Sequence, residues 1–152
     1  YCAINFQFVD EPNKPCRIIS GGPDPDRSKA KVISLIMIKL IYKICPASIW
    51  GKAETRGIFE GWGIDLIDGY IHFSTAEQVA QTAARHFVGQ RDLVLVTVDA
   101  THLSIIWEPA RDGDLFPHLY DTLPMTAIIR VIRIPVDHNN QHAFPSEIPI
   151  YP

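Results

Sequence analysis

The stretch that decides the fold is residues 68–75, which read Asp68-Gly69-Tyr70-Ile71-His72-Phe73-Ser74-Thr75. The Asp-Gly pair is a turn signal, and the residues after it favour a short β-strand. Side chains along a strand alternate between its two faces, so Ile71 and Phe73 are expected to pack in a core. Tyr70, His72 and Ser74 then share the other face. The pattern therefore predicts a phenol, an imidazole and a hydroxyl presented together.

Two helices are predicted around this strand. Residues 47–56 follow a proline and run to Gly57, a residue type that commonly ends helices. For the second helix, Ser74 and Glu77 have the spacing of a capping box, and Gly89 is the expected end. Its predicted buried face, taken from helical spacing, is Ala76, Val79, Ala80, Ala83 and Phe87.

Further strands are predicted from the apolar pattern. Residues 38–44 alternate with strand periodicity, and residues 93–98 form the near-continuous apolar run of an interior strand. Other candidates lie at residues 105–107, around Leu119 and at residues 128–134. The elements together predict an α+β fold, with a small split sheet, antiparallel or mixed, and two or three helices.

The domain organisation is predicted from length and proline content. One domain is expected over residues 38–134, because a second core would be cramped in a chain of this size. Residues 1–37 have no sustained period and several prolines, so a loosely ordered N-terminal extension is expected. Residues 135–152 are expected to be a C-terminal tail, since prolines recur in them.

The composition excludes several classes of function. The net charge of −3 gives no strong nucleic-acid signal. Cys2, Cys16 and Cys45 lack the spacing of a disulfide framework or a metal site, so reduced thiols in a cytoplasmic protein without a metal are expected. The apolar run at residues 32–44 is too short for a membrane helix and contains lysines, so no membrane association is expected. The oligomeric state stays open.

A second group of candidate site residues follows later in the chain. Trp107 can offer flat apolar surface to a ligand ring, and Glu108 places a carboxylate at a strand end, before a proline. His118 and Tyr120 are two apart, so they are expected to share one face of an extended segment. Three plainer interpretations also stay open. In these, the group from Trp107 to Tyr120 is an ordinary surface loop, His72 has only a structural role, and Ser74 only caps a helix.

Several short motifs occur together in a characteristic order. They are Ile41-Tyr42-Lys43-Ile44, Asp68-Gly69-Tyr70-Ile71-His72-Phe73-Ser74-Thr75, His86-Phe87, Leu93-Val94-Leu95, Trp107-Glu108 and Phe116-Pro117-His118-Leu119-Tyr120. In this order and spacing, residues 41–134 resemble the domain of unknown function 952 family. That family is similar to the ADP-ribosyltransferase fold, so the resemblance implies a cleft that binds NAD as a substrate and cleavage of its nicotinamide glycosidic bond.

The resemblance also implies roles for individual residues. His72, His118 and Glu108 are the catalytic candidates: the histidines bind phosphate or move protons, and the carboxylate stabilises positive charge on the sugar. Lys43 is the first-strand candidate for a phosphate contact. The remaining ligand-binding candidates are Tyr42, Tyr70, Ser74, Thr75, Trp107 and Tyr120.

Whether the chain is an enzyme stays open, and two alternatives stand beside the transferase hypothesis. One is a non-catalytic module that binds a nucleotide or a partner protein in the same cleft. The other is a small hydrolase or isomerase that uses His72 and His118 as an acid–base pair without any nucleotide.

Overall fold

A computed structural model of the chain describes residues 39–110, 112–145 and 148. Within these residues the fold is α+β, with eight strands, three α-helices and a 3-10 turn at Met125–Ala127. In chain order the elements are β1 (Leu40–Pro46), α1 (Ala47–Arg56), β2 (Ile58–Phe59), α2 (Ile64–Asp68), β3 (Ile71–His72), α3 (Val79–His86), β4 (Leu93–Asp99), β5 (Ile105–Pro109), β6 (Leu115–Leu119), β7 (Leu123–Pro124) and β8 (Ile128–Ile134). The predicted N-terminal extension, residues 1–37, lies outside the described residues.

The first sheet has the strand order β1-β4-β8 and is antiparallel throughout. Strand β4 is central and buried from Leu93 to Val98, as its apolar run predicts. Its alternate side chains enter two different hydrophobic clusters: Val96 packs in the first hydrophobic cluster, and Leu95 packs in the second hydrophobic cluster. A strand covered on both faces needs apolar residues at every position, which explains why this segment lacks the usual alternation.

The remaining strands form two smaller antiparallel sheets, β3-β6-β5 and β2-β7. All strand pairings among the described residues are antiparallel, so of the two predicted sheet types only the antiparallel one is found there. Tyr42 and Ser74 exchange two backbone hydrogen bonds of 2.8 and 2.9 Å and form an isolated bridge between β1 and the end of β3. This bridge connects the first sheet to the sheet that contains His72.

Helix α1 begins and ends as predicted. Pro46 precedes it with an extended backbone, and Gly57 follows it with a φ of 82°. The Gly57 N–H donates to the carbonyls of Ala53 and Glu54, which satisfies the end of the helix, and glycine adopts this left-handed backbone without a Cβ penalty. Trp50 and Ala53 turn towards the core.

Helix α3 begins later than predicted, at Val79. The predicted capping box of Ser74 and Glu77 is wrong, because Thr75 and Gln78 make the reciprocal contacts. The backbone N–H of Thr75 donates to Gln78 Oε1 at 3.0 Å, and that of Gln78 donates to Thr75 Oγ1 at 3.3 Å. Ser74 is committed to the bridge with Tyr42, and its buried hydroxyl pairs with Thr82 Oγ1 at 3.0 Å.

The later start also changes the buried face and the end of α3. Val79 and Ala83 are buried as predicted, whereas Ala80 is exposed. The helix closes at Phe87, whose N–H donates to Ala83 O, two residues before the predicted glycine. The helix therefore presents a narrower apolar stripe to the core than its sequence indicates.

The beginning of the predicted tail is attached to the domain. Val136 and His142 form an antiparallel bridge, and Phe144 and Ile148 pack against the second hydrophobic cluster. Proline excludes regular strand and helix but does not prevent such packing. Among the described residues, no helix has both the length and the apolar character needed to cross a membrane.

Candidate functional site

The pairing of β3 with β6 brings the two candidate histidines together. His72 and His118 are directly opposite in the antiparallel register, and their ring centroids are 5.0 Å apart. Ile71 and Phe73, each 2% exposed, pack in the core beneath them, as the alternation predicts. The two motifs, far apart in sequence, therefore meet on one face of this small sheet.

Tyr70 lies at the centre of this face. Its ring centroid is 4.6 Å from that of His72, 4.5 Å from that of His118 and 4.8 Å from that of Tyr120. We call these four side chains the ring cluster. Tyr120 is 52% exposed, so the cluster reaches the surface on that side.

His118 is held by a carboxylate from the neighbouring strand. Its Nδ1 lies 2.7 Å from Glu108 Oε2, and the Tyr120 hydroxyl donates to the same oxygen at 2.9 Å. We call Glu108 and His118 the outer dyad. An ionised carboxylate can only accept, so Nδ1 carries the proton and Nε2 of the neutral ring is an acceptor. No described residue is hydrogen-bonded to Nε2 of His118.

The outer dyad changes the acidity of its members. Hydrogen bonds from His118 and Tyr120 lower the pKa of Glu108 below its ordinary value. The hydrogen bond to this carboxylate raises the pKa of Tyr120, and desolvation adds to the rise. Both shifts favour a phenol that donates to a charged carboxylate.

His72 is held by two carboxylates of helix α2. Its Nδ1 lies 2.9 Å from Asp65 Oδ1, and its Nε2 lies 3.2 Å from Asp68 Oδ2. We call Asp65 and His72 the inner dyad. The Asp65 side chain is 0% exposed, whereas that of Asp68 is 35% exposed. The buried Asp65 and the partly exposed Asp68 thus contact opposite nitrogens of the His72 ring.

Asp65 has further partners that fix its position and charge. It accepts hydrogen bonds from Lys43 Nζ at 2.7 Å and from the backbone N–H groups of His72 and Trp62 at 3.1 Å. Burial alone would raise the pKa of Asp65, but the hydrogen bonds from His72 and the charge of Lys43 lower that pKa to about 2. Burial lowers the pKa of Lys43, and Asp65 opposes this effect.

Two of the predicted ligand-binding residues lie beneath this surface. Lys43 Nζ is bound to Asp65 and to the backbone carbonyl of His72 at 3.0 Å, and its side chain is 7% exposed. The predicted phosphate contact of Lys43 is therefore wrong, because its ammonium group is already paired beneath the ring cluster. Tyr42 is 1% exposed in the second hydrophobic cluster, so its ring has no face for a ligand.

Three other predicted residues lie outside the ring cluster. Trp107 is 45% exposed but adjacent to Glu108 in β5, so alternation places it on the opposite face of the sheet. Ser74 is buried against Thr82, and Thr75 caps the turn into α3 and donates to Glu77 at 2.8 Å. Each of these hydroxyls already has a structural partner.

The structure therefore brings together five of the predicted site residues and adds two that the sequence analysis missed. The five are Tyr70, His72, Glu108, His118 and Tyr120. The added residues are Asp65 and Asp68, both on a five-residue helix that is too short to show periodicity. The signal available in the sequence for this pair was Asp65 itself, an acidic residue about one helical turn before Asp68-Gly69. Among the described residues, no three His, Cys, Asp or Glu side chains are arranged to hold a metal ion.

The fold and the site define a class of protein: a small α+β domain with two histidine–carboxylate pairs packed around a tyrosine. The profile of the family described as "Protein of unknown function (DUF952)" matches residues 44–131. The chain belongs to this family. No protein with a curated description matches the chain.

Solved structures of a bacterial protein have the same fold. The crystal structure of protein CC0527 from Caulobacter crescentus is 41% identical to this chain, with a TM-score of 0.66, and the match covers 69% of this chain and 94% of that chain. The solution NMR structure of CC0527 is 42% identical, with a TM-score of 0.62, and covers 67% and 90% of the two chains.

Proposed function

We propose that this domain is an enzyme that carries out acid–base chemistry on a small molecule, with His118 as the group that transfers the proton. The observation that carries the proposal is the outer dyad. Glu108 holds Nδ1 of His118 at 2.7 Å, while Nε2 has no partner among the described residues. A carboxylate that orients an imidazole and stabilises its protonated form is a recurring arrangement in general acid–base catalysis.

The other residues of the ring cluster support binding of a flat ligand. Tyr70 and Tyr120 offer aromatic surface, and Tyr120 is the exposed member of this pair. Aromatic rings prefer offset or edge contacts with other rings at centroid distances of about 4.5–7 Å. A substrate ring placed against Tyr120 would lie next to His118.

The second histidine has a different environment. Both nitrogens of His72 face carboxylates, at 2.9 and 3.2 Å. In this arrangement His72 has no nitrogen left for a substrate proton, so we assign the transfer to His118. His72 contributes to the wall of the site and to its electrostatics, through a ring 5.0 Å from that of His118.

A second candidate function is NAD binding with ADP-ribosyltransferase-like cleavage. The carboxylates beside the histidines support its cleavage step rather than the binding of the diphosphate, because Asp68 and Glu108 lie next to His72 and His118 at the rim of the ring cluster. Loss of nicotinamide builds positive charge on the ribose, and a nearby carboxylate such as Glu108 would stabilise it. The family resemblance implies the same chemistry.

The first experiment measures NAD and NADH affinity by calorimetry and then turnover on a panel of esters, phosphoesters and isomerisable substrates with and without NAD. The variant is His118→Ala, and the matched control is His86→Ala, since His86 is an exposed histidine outside the ring cluster. Loss of a general base is expected to lower kcat by about 100-fold or more, with no change for His86→Ala.

The outcomes separate the functions. Turnover that depends on NAD and on His118 supports the transferase, and turnover without NAD supports the hydrolase or isomerase. Thermal stabilisation by a ligand without any turnover would show a binding module and remove the enzyme proposal. Equal turnover of His118→Ala and His86→Ala would contradict the assigned role of His118.

A further inference from the structure

We propose that Asp65 is the positioning residue for His72, and that Lys43 fixes the orientation of Asp65. The inference rests on the proposed function only in taking the ring cluster as the site. It assigns a role to two residues that contact no ligand-facing surface themselves. Their effect reaches the site through the ring of His72.

The first argument is the number of contacts that Asp65 makes to one strand residue. Its Oδ1 accepts from the backbone N–H of His72 at 3.1 Å and meets the ring Nδ1 of the same residue at 2.9 Å. These two contacts fix both the backbone position of His72 and the orientation of its imidazole. A carboxylate with 0% side-chain exposure makes them without competition from water.

The second argument is that Lys43 leaves Asp65 no alternative orientation. Lys43 Nζ lies 2.7 Å from each oxygen of the carboxylate, and it also donates to the backbone carbonyl of His72 at 3.0 Å. The lysine therefore spans Asp65 and the strand that carries His72. A shift of either partner would break contacts at both ends of this ammonium group.

The backbone before α2 also closes over Asp65. A Cβ built on Gly61 would lie 2.7 Å from Asp65 Cβ, and Gly61 has a φ of +95°. Only glycine allows this approach and this backbone conformation together. The loop thus packs against the Asp65 side chain, and it holds the Trp62 N–H at 3.1 Å from Asp65 Oδ2.

These contacts predict which nitrogen of neutral His72 carries the proton. Asp65 is ionised and can only accept, so it selects the tautomer with the proton on Nδ1. Asp68 approaches Nε2 from the rim at an ion-pair distance of 3.2 Å and with a partly exposed side chain, so it holds the ring less firmly than the hydrogen bond to Asp65 does. Asp65 therefore decides the tautomer.

The experiment is NMR of the histidine side chains in the 15N-labelled full chain, at a pH where the imidazole of His72 is neutral. Wild type and Asp68→Asn are expected to have His72 protonated on Nδ1. In Asp65→Asn the amide oxygen takes the place of Oδ1, where it accepts from Lys43 and from the backbone N–H of His72, so this tautomer is expected to be kept. The double variant Lys43→Met with Asp65→Leu removes the acceptor that faces Nδ1 together with the buried charge, so it is expected to lose this tautomer, and Lys43→Met with Asp65→Ala replaces it if it does not fold.

The result would be overturned by an Nε2-protonated His72 in wild type, by retention of the wild-type tautomer in the double variant, or by its loss in Asp65→Asn or Asp68→Asn. A purely structural role for Asp65 would lower stability without exchanging the tautomers. The readout needs no substrate, so absence of turnover would remove the proposed enzyme and leave this result standing.

Discussion

The inner and outer dyads contain the same two chemical groups in different surroundings. The Asp65 side chain is 0% exposed and paired with Lys43, whereas the Glu108 side chain is 39% exposed and paired with Tyr120. A buried carboxylate that loses its partners keeps an uncompensated charge away from water, while an exposed one is rehydrated. The inner dyad is therefore coupled to the stability of the fold, and the outer dyad is available to a ligand.

The largest expected effect comes from breaking the buried pair on one side. Asp65→Leu leaves Lys43 buried without its counter-charge, so the free energy of unfolding should fall by about 3–5 kcal/mol. Urea denaturation followed by circular dichroism measures this change. The double variant Lys43→Met with Asp65→Leu removes both charges and should recover most of the loss. If the double variant is as unstable as the single one, the burial of charge is not the cause.

The next effect is a loss of stability in acid. The folded-state pKa of Asp65 is about 2, against an ordinary value of 3.8. A group with a lowered pKa contributes stability above its unfolded pKa and loses it as pH falls through its folded pKa. The contribution of Asp65, about 2 kcal/mol from the conversion of pKa units to free energy, should therefore disappear between about pH 4 and pH 2.

Urea titrations at several pH values test this window. The double variant Lys43→Met with Asp65→Leu lacks the group and is the matched control, so its stability should fall less steeply over the same range. Parallel pH profiles for the two proteins would assign the acid sensitivity to other carboxylates.

The smallest effect on stability is expected at the outer dyad. Glu108→Gln changes an exposed carboxylate, so the thermal midpoint should stay that of wild type. The pKa of Tyr120 is raised by its hydrogen bond to Glu108 and should fall towards its ordinary value of 10.0 when that charge is removed. The tyrosinate absorbance, followed against pH with Tyr120→Phe as the reference, measures this. An unchanged titration would show that the two groups are not coupled in solution.

The sequence predicted the outer dyad better than the inner one, for a physical reason. Strand alternation has a period of two, so one short segment suffices to place His118 with Tyr120, and another to place Tyr70 with His72. The same alternation, applied to β5, would have removed Trp107 from the site, because Glu108 and Trp107 are adjacent. The contact between His72 and His118 itself needed the register of β3 with β6, which no single segment contains.

Asp65 and Lys43 could not be paired from the sequence. They are 22 residues apart and lie on a strand and on a short helix that have no shared pattern. A lysine in an apolar strand signals an exposed face on statistical grounds, and only the tertiary structure shows the carboxylate that compensates it. The capping contacts before helix α3 are made by Thr75 and Gln78 for a similar reason, since the backbone of Ser74 is already bonded to Tyr42.

The bridge between Tyr42 and Ser74 affects the cost of binding a ligand, because it holds the backbone of the site in place. It lies two residues after His72 and ties the strand of the site to the largest sheet through two hydrogen bonds. The backbone under the imidazoles is therefore preorganised, so ordering it would cost little free energy when a ligand binds. Tyr120, the exposed tyrosine of the ring cluster, is already hydrogen-bonded to Glu108, so it too would lose little rotational freedom when a ligand binds.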